Sequence, residues 1–148
     1  MSIEVVVDKT GDIARWVCAG LNDEFGWYEQ NLTFGFVQDG KLIGGLIFHD
    51  LRPHCDVWWT IYCNNRHWCN RKILRQMFAM AFQNMDCRRI SLLVSKSNSQ
   101  SLNFVQRLGF KIEGVLRKFR ENGDDCYILG MLREECNWLK EKRSDINE

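Results

Sequence analysis

The feature that most constrains the fold is an alternation of strand-like and helix-like segments between residues 56 and 110. An aromatic and β-branched run over residues 56–62 predicts a strand, and residues 88–95 alternate as a second one. Between them a stripe of apolar residues with helical spacing predicts an amphipathic helix. This stripe consists of Ile73, Leu74, Met77, Phe78, Ala81, Phe82 and Met85. Ser97 and Asn98 open a further helix that ends at Gly109, so the stretch predicts a βαβ unit followed by a helix.

The turn between the first of these strands and its helix has the properties of an anion site. It lies at the carboxyl end of the strand and the amino end of the helix, where backbone N–H groups lack helical partners and the helix dipole is positive. Arg66, Arg71 and Lys72 add formal positive charge at the same place. We therefore expect a ligand that carries a phosphate or a pyrophosphate.

The rest of the chain predicts a mixed α/β sheet. The predicted strands cover residues 3–7, 32–38, 42–48, 54–63, 88–95, 115–120 and 126–132. The predicted helices cover residues 11–21, 73–85, 97–108 and 133–140, and Asp12 is the expected N-cap of the first. Asp39-Gly40 predicts a tight hairpin, and Gly44-Gly45 a bulge or a close backbone approach. The order predicts a mostly antiparallel sheet of about seven strands with helices on both faces.

Composition limits the class of protein. At 148 residues, with 45% hydrophobic and 26% charged residues, the chain is expected to form one globular domain over residues 1–148, in which residues 140–148 are a fraying tail. A net charge of +1 provides no global field for nucleic acid. The sequence has neither the ~20-residue apolar run of a membrane span nor the pattern of a signal peptide, so we expect a cytoplasmic protein that does not bind membranes.

The seven cysteines predict free thiols, because their number is odd and no short spacing repeats. One stretch is rich in metal-binding residue types: His49, His54, Cys55, Cys63, His67 and Cys69. None of them forms the paired spacing that zinc sites use, so no metal is predicted.

Two sequence segments resemble a known family. Residues 98–107 read NSQSLNFVQR, and residues 108–117 read LGFKIEGVLR. Together with the order of elements, they resemble the GNAT superfamily of acyl-CoA-dependent N-acetyltransferases. The resemblance covers residues 32–138. It is greatest to the branch that acetylates ribosomal-protein N-termini, which GMLREE at residues 130–135 also resembles, and to acetyltransferase-like proteins carried by phages.

The resemblance implies an enzyme that moves an acetyl group from acetyl-CoA to a primary amine by direct attack in a ternary complex. The acceptor is then a peptide N-terminus or a small molecule, acetyl-CoA is the cosubstrate, no metal takes part, and the protein is a monomer or a homodimer. Two alternatives remain open. One is a GNAT-fold protein that modifies or binds nucleic acid through a basic surface, and the other is a non-catalytic interaction module. That basic surface consists of Arg66, Arg71, Lys72, Arg75, Arg88 and Arg89.

The superfamily's pyrophosphate loop, Q/R-x-x-G-x-G/A, aligns with residues 66–71. Arg66 is kept, whereas Cys69 and Arg71 stand at the two glycine positions. Either Arg71 and Lys72 replace close backbone contact with charge, or the site has drifted; the placement of the basic residues favours the first. The resemblance also places the pantetheine of the coenzyme along the splayed end of the fourth strand. The implied cofactor residues are Ile61, Tyr62, Cys63, Arg66, Trp68, Cys69, Asn70, Arg71, Lys72, Asn98, Ser101, Phe104 and Arg107.

No single residue stands out as the acid or the base. Val105 occupies the position of the superfamily's usual tyrosine acid, which leaves Asn98, Ser101 or Tyr127 near the thiol. Asn98 is equally well explained as a helix cap. The candidate bases are Asp56, Glu24 and His54, or a chain of waters that leads to an acid. A solvent-exposed strand end explains Asp56 equally well, and a surface turn explains His54 better.

Overall fold

The computed structural model describes residues 2–22, 30–65 and 70–140. The strands are β1 (Glu4–Val7), β2 (Asn31–Gln38), β3 (Lys41–Arg52), β4 (Asp56–Cys63), β5 (Arg89–Ser95), β6 (Lys111–Leu116) and β7 (Cys126–Leu132). The helices are α1 (Asp12–Gly20), α2 (Arg71–Ala79) and α3 (Ser99–Leu108). A π-helical turn (Met80–Asn84) extends α2, and a 3-10 turn (Arg133–Glu135) follows β7. The predicted order of elements is confirmed.

The strands form one seven-stranded sheet in the order β1-β2-β3-β4-β5-β7-β6. Every neighbouring pair is antiparallel except β4 and β5, which are parallel. The predicted mixed, mostly antiparallel sheet is therefore correct. The β2–β3 hairpin turns at Asp39 and Gly40, whose φ angles are 53° and 76°. Two consecutive positive φ angles are what a two-residue hairpin of this type needs.

Helices cover both faces of the sheet. The apolar stripe of α2 and its π-helical turn packs with α3 against one face, where Trp59 stands among Phe48, Phe78 and Phe110. On the other face α1 packs Val17 against β3 and β4. Side chains of β4 alternate between these two packing groups, as a strand requires. Burial of the two apolar layers is the main source of stability.

Two glycines allow α1 to lie close to the sheet. Gly35 and Gly45 face each other across β2 and β3. A Cβ atom on Gly45 would lie 2.5 Å from the Val17 side chain, and one on Gly35 would lie 2.8 Å from Ile13. The close approach predicted at Gly44-Gly45 is therefore confirmed at Gly45. A register shift in the same β2–β3 ladder, after Phe36, also confirms the predicted irregularity of the strand pairing.

Several predicted boundaries are wrong. The sixth strand covers Lys111–Leu116, whereas residues 115–120 were expected. Residues 133–140 form only one 3-10 turn, because Trp138 and Leu139 pack against the core instead of continuing a helix. Asp12 is not the N-cap of α1, because Gly11 occupies that position and has no side chain to cap the helix. The Asp8 carboxylate instead accepts hydrogen bonds from the N–H groups of Gly11 and Ala14.

Six of the seven cysteines lie in the described part of the chain and are free thiols, as expected. Within residues 2–22, 30–65 and 70–140, no cluster of three potential metal ligands occurs. Among the same residues, none of the helices has the length and hydropathy that a bilayer crossing requires.

Candidate functional site

An opening lies between β4 and β5. The parallel ladder between these strands ends at the pair Trp59–Leu92. β4 continues to Cys63, and β5 continues to Ser95 while its last residues pair with β7. The two strands therefore part beyond Trp59 and present backbone groups of β4 to the gap. Ile61, Tyr62 and Cys63, which the resemblance assigns to the coenzyme, belong to this splayed end.

The start of α2 lies at the same end of the sheet as the opening. Asn70 caps the helix, and its side-chain oxygen accepts a hydrogen bond of 2.9 Å from the N–H of Ile73. The N–H groups of the first two helical residues, Arg71 and Lys72, have no carbonyl partner within the helix. The Lys72 side chain is exposed. Residues 66–69 lie outside the described residues, so the expectations for Arg66, Trp68 and Cys69 keep their status as predictions.

Arg71 has a partner away from the opening. Its guanidinium lies 5.7 Å from the centre of the Trp138 ring. Trp138 belongs to the segment that packs across α2 and α3. The expected contact between Arg71 and a diphosphate therefore competes with this stack.

The start of α3 also faces the opening, because α3 follows β5. Asn98 caps α3 by accepting a hydrogen bond of 3.2 Å from the N–H of Ser101, so the capping role foreseen for it is confirmed. Phe104 is half-buried against the core. Arg107 lies in the last turn of α3, and with Asn103 it lines a shallow groove on the helix surface. Arg107 is thus near the opposite end of α3 from Asn98.

The β6–β7 connection supports this side of the opening. The Asp124 carboxylate accepts hydrogen bonds from the Ser97 hydroxyl (2.7 Å) and from the Ser97 N–H (3.1 Å). Both hydrogen bonds lower the pKa of Asp124 below its ordinary value, and the bond from the Ser97 hydroxyl has the larger effect. Arg120 donates a hydrogen bond of 2.8 Å from its Nε to the Ser95 hydroxyl. The link between β5 and α3 is therefore fixed from two sides.

Among the described residues, the candidate bases are not brought together with the candidate acids. Asp56 begins β4, so it lies at the opposite end of the strand from the opening, and its carboxylate accepts a hydrogen bond of 2.6 Å from Arg52. His54 bonds to Asp86 at that same end. Tyr127 is half-buried on the face covered by α2 and α3, paired in register with Val94. Glu24 lies outside the described residues.

His49 was considered in the sequence only as one of several potential metal ligands, but it is linked to the opening. His49 as a whole residue is 8% exposed. Its Nδ1 lies 2.6 Å from the Asp50 carboxylate, and its Nε2 lies 2.8 Å from the hydroxyl oxygen of Thr60. Thr60 is the first residue of β4 beyond the end of the ladder with β5. The only signal in the sequence was the His49-Asp50 dipeptide, which in a regular strand would direct its two side chains to opposite faces.

The basic surface considered for nucleic acid is divided. Lys72 and Arg75 lie on α2 near the opening. Arg88 and Arg89 lie at the start of β5, where Arg89 pairs in register with Asp56 at the far end of the ladder. Arg89 also forms an ion pair of 2.5 Å with Glu113. The described members of the set therefore do not form one surface.

Comparisons with known proteins agree with this architecture. The sequence matches the acetyltransferase (GNAT) family over residues 8–110. No curated protein matches the chain. A variant of the spermidine N-acetyltransferase SpeG from Vibrio cholerae has a similar structure, with a TM-score of 0.70 at 15% identity over 93% of this chain and 96% of that one. A dodecameric structure of spermidine N-acetyltransferase from the same organism gives a TM-score of 0.68 at 17% identity over 89% and 94%.

At such identities the structural likeness establishes the fold, and the family match over more than half of the sequence establishes membership. The matched residues include the two parallel strands, which border the opening, and the helix that begins beside it. This chain therefore belongs to the GNAT family of acetyltransferases and is an acyltransferase.

Proposed function

We propose that this protein transfers an acetyl group from acetyl-CoA to a primary amine by direct attack in a ternary complex. The observation that carries the proposal is the separation of β4 from β5 beyond Trp59 and Leu92. It provides a slot between two strands for the extended pantetheine arm, at the same end of the sheet as the start of α2. The slot holds the thioester in one place, and positioning of this kind accounts for much of the rate of an acyl transfer.

Backbone groups on the splayed end of β4 supply the polar contacts. Ile61, Tyr62 and Cys63 bond to the amide groups of the pantetheine. The N–H of Ile61 faces the thioester carbonyl and stabilises the negative charge that develops on its oxygen. Asn98 and Ser101 at the start of α3 lie near the sulfur, and Tyr127 is the alternative proton donor for the departing thiolate.

The diphosphate of the coenzyme lies at the start of α2. The helix dipole and the N–H groups of Arg71 and Lys72 favour an anion there. The Lys72 ammonium, which is exposed, neutralises part of its charge. We expect Arg66 and Trp68, which precede α2 in the sequence, to complete the site, with the Trp68 indole available to the adenine.

The acceptor is an amine of one of two kinds. The resemblance of residues 108–117 to the ribosomal-protein branch favours the N-terminus of a peptide. The similar SpeG structures are those of a spermidine N-acetyltransferase, and this likeness favours a polyamine as the acceptor. Both classes are therefore assayed. Those structures include a dodecamer, so the expected monomer or homodimer is measured by light scattering in the same preparation.

A thermal-shift titration with acetyl-CoA and with coenzyme A tests the proposal. A ligand at a hundred times its Kd adds about 2.7 kcal/mol of stability, and we expect both coenzymes to do so. Lys72→Glu should weaken the thermal shift that the coenzyme causes, even though an acidic residue at the start of a helix stabilises the helix itself. Arg75→Glu, one turn further along α2, is the control and should largely preserve the shift. Acetylated spermidine or acetylated peptide is then measured by mass spectrometry. If neither acetyl-CoA nor coenzyme A raises the unfolding temperature, the proposal is refuted.

A further inference from the structure

Three side chains on β3 and β4 form a continuous hydrogen-bonded chain. The carboxylate of Asp50, the imidazole of His49 and the hydroxyl of Thr60 are joined by contacts of 2.6 Å and 2.8 Å. An ionised carboxylate only accepts hydrogen bonds, so Nδ1 of the imidazole carries a proton. In the neutral ring Nε2 then accepts the hydrogen bond from Thr60. This order of groups gives the hydroxyl oxygen a proton acceptor, which is itself oriented by a carboxylate.

The backbone is irregular at the residue that makes this chain possible. Consecutive residues in a strand direct their side chains to opposite faces, so a regular β3 would keep the Asp50 carboxylate away from the ring of His49. Asp50 instead has a φ of 50°, and the register of the ladder shifts between His49 and Arg52. A positive φ is uncommon for any residue other than glycine, and strain of this kind is concentrated at functional sites.

The chain ends at the opening. Thr60 follows Trp59, the last residue of β4 that pairs with β5. Its side chain lies on the face of the sheet covered by α1, because it alternates with Trp59 and Ile61, which pack on the other face. One peptide bond separates it from the N–H of Ile61. The hydroxyl is therefore within about one residue, roughly 3.3 Å along the strand, of the group assigned to the thioester carbonyl.

We propose that Asp50, His49 and Thr60 are the proton-accepting relay for the acceptor amine. The relay rests on the proposed function and identifies the base that this function lacks. Thr60 is the catalytic residue, because its hydroxyl meets the amine. His49 and Asp50 are positioning residues that act through Thr60.

The relay accounts for each proton. The amine nitrogen attacks the thioester carbon, a C–N bond forms, and the C–S bond breaks with its electron pair on sulfur. The proton lost by the nitrogen passes to Oγ1 of Thr60, while the hydroxyl proton of Thr60 passes to Nε2 of His49. The Asp50 carboxylate stabilises the imidazolium that results. The thiolate takes a proton from water, and the imidazolium returns its own proton to solvent.

The described charged groups on β4 and α1, the elements next to the relay, form ion pairs of their own. Asp56, on the same face of β4, bonds to Arg52. On α1, Asp12 and Arg15 form an ion pair with each other at the surface. Residue 31 of β2, the register partner of His49, is an asparagine and carries no charge. Among the described residues, Asp50 is the carboxylate that accepts a hydrogen bond from the His49 imidazole.

Steady-state kinetics of the full-length enzyme test the relay. Thr60→Val should lower kcat about a hundredfold with the KM for acetyl-CoA unchanged, as expected for the loss of a proton acceptor. Thr60→Ser should keep activity within tenfold of wild type. Thr33→Val is the matched control, because it removes a buried hydroxyl from β2 that bonds to Asn31 and not to the relay, and its kcat should not change.

The pH profile separates a relay from a merely structural contact. Asp50→Gly suits a positive φ, so it should fold, and it removes the charge that stabilises the imidazolium. The acid limb of kcat/KM should therefore move to lower pH, and His49→Gln should abolish this limb. A Thr60→Val enzyme within threefold of wild type, or an acid limb that persists in His49→Gln, would overturn the relay while leaving the proposed function intact. A wild-type enzyme that turns over no amine would overturn both.

Discussion

The guanidinium of Arg71 lies over the indole ring of Trp138, with 5.7 Å between the guanidinium carbon and the ring centre. The same indole is stacked on Phe78 at 6.3 Å and donates a hydrogen bond of 2.8 Å to the carbonyl of Leu108. It therefore joins the start of α2 to the end of α3. The segment after β7 thus fixes the helix whose amino end we assign to the diphosphate.

We predict that Arg71→Ala lowers the free energy of unfolding by about 0.5–1 kcal/mol, the usual range of an exposed cation–π contact. Urea denaturation measures this difference. Arg75→Ala, on the exposed side of the same helix, is the control and should cost less. Equal losses in the two variants would show that the stack contributes nothing.

Gly45→Ala should destabilise the protein by about 1–3 kcal/mol, because its Cβ would lie 2.5 Å from the Val17 side chain in a packed layer. Gly114→Ala is the matched control: it is also a strand glycine, and no atom lies within 4 Å of its Cβ position. Its unfolding midpoint should stay the same or rise. Adding Val17→Ala to Gly45→Ala should recover part of the lost stability, because it removes the clashing methyl groups. If the destabilising effects of the two substitutions simply add in the double variant, this explanation is wrong.

The stability of the wild-type protein should fall in acid partly through Asp124. Its pKa is lowered in the folded state by the Ser97 hydrogen bonds, so the stability that it contributes is present above about pH 4, the ordinary value of an aspartate. This stability is lost as the pH falls through the folded-state pKa. The free energy of unfolding, measured between pH 6 and pH 3, should therefore depend less steeply on pH in Asp124→Asn than in the wild type. Asp39→Asn, in the β2–β3 turn, should follow the wild-type curve, and parallel curves for all three proteins would contradict the assignment.

Coenzyme A should protect Cys63 from alkylation and leave Cys55 unprotected. Both thiols are half-buried, but Cys63 is at the splayed end of β4 and Cys55 immediately precedes the opposite end. Mass spectrometry of iodoacetamide-treated protein, with and without saturating coenzyme, measures the two rates. Equal protection would indicate a global loss of mobility, and absence of protection would place the pantetheine elsewhere.

Burial should make Cys87 and Cys136 react more slowly than Cys55 and Cys63 in the same experiment. Burial raises the pKa of each thiol, so little thiolate is present near neutral pH. Since the folded-state pKa is raised, these groups favour the folded state less as the pH rises above about 8.5, the ordinary value for cysteine. Rapid labelling of either one at pH 7.5 would contradict the packing described here.

Much of the fold could be read from local patterns. The apolar stripe from Ile73 predicted α2, the Asp39-Gly40 dipeptide predicted the hairpin, and Asn98 was foreseen as a cap, because each of these signals reports contacts within a few residues. The candidate relay had no such signal. His49 meets Thr60 across eleven residues of chain, and only the register of β3 on β4 determines that pair.

The sequence by itself determined the order of strands and helices, the mixed sheet and the resemblance to acyl-CoA-dependent acetyltransferases, since periodicity and turn residues act over short distances. Only the tertiary structure decided where the strands part, which residues face the gap, and that Asp50 turns towards His49. These features depend on which strands lie side by side and on a backbone irregularity that packing imposes, and neither is encoded in any local stretch of the chain.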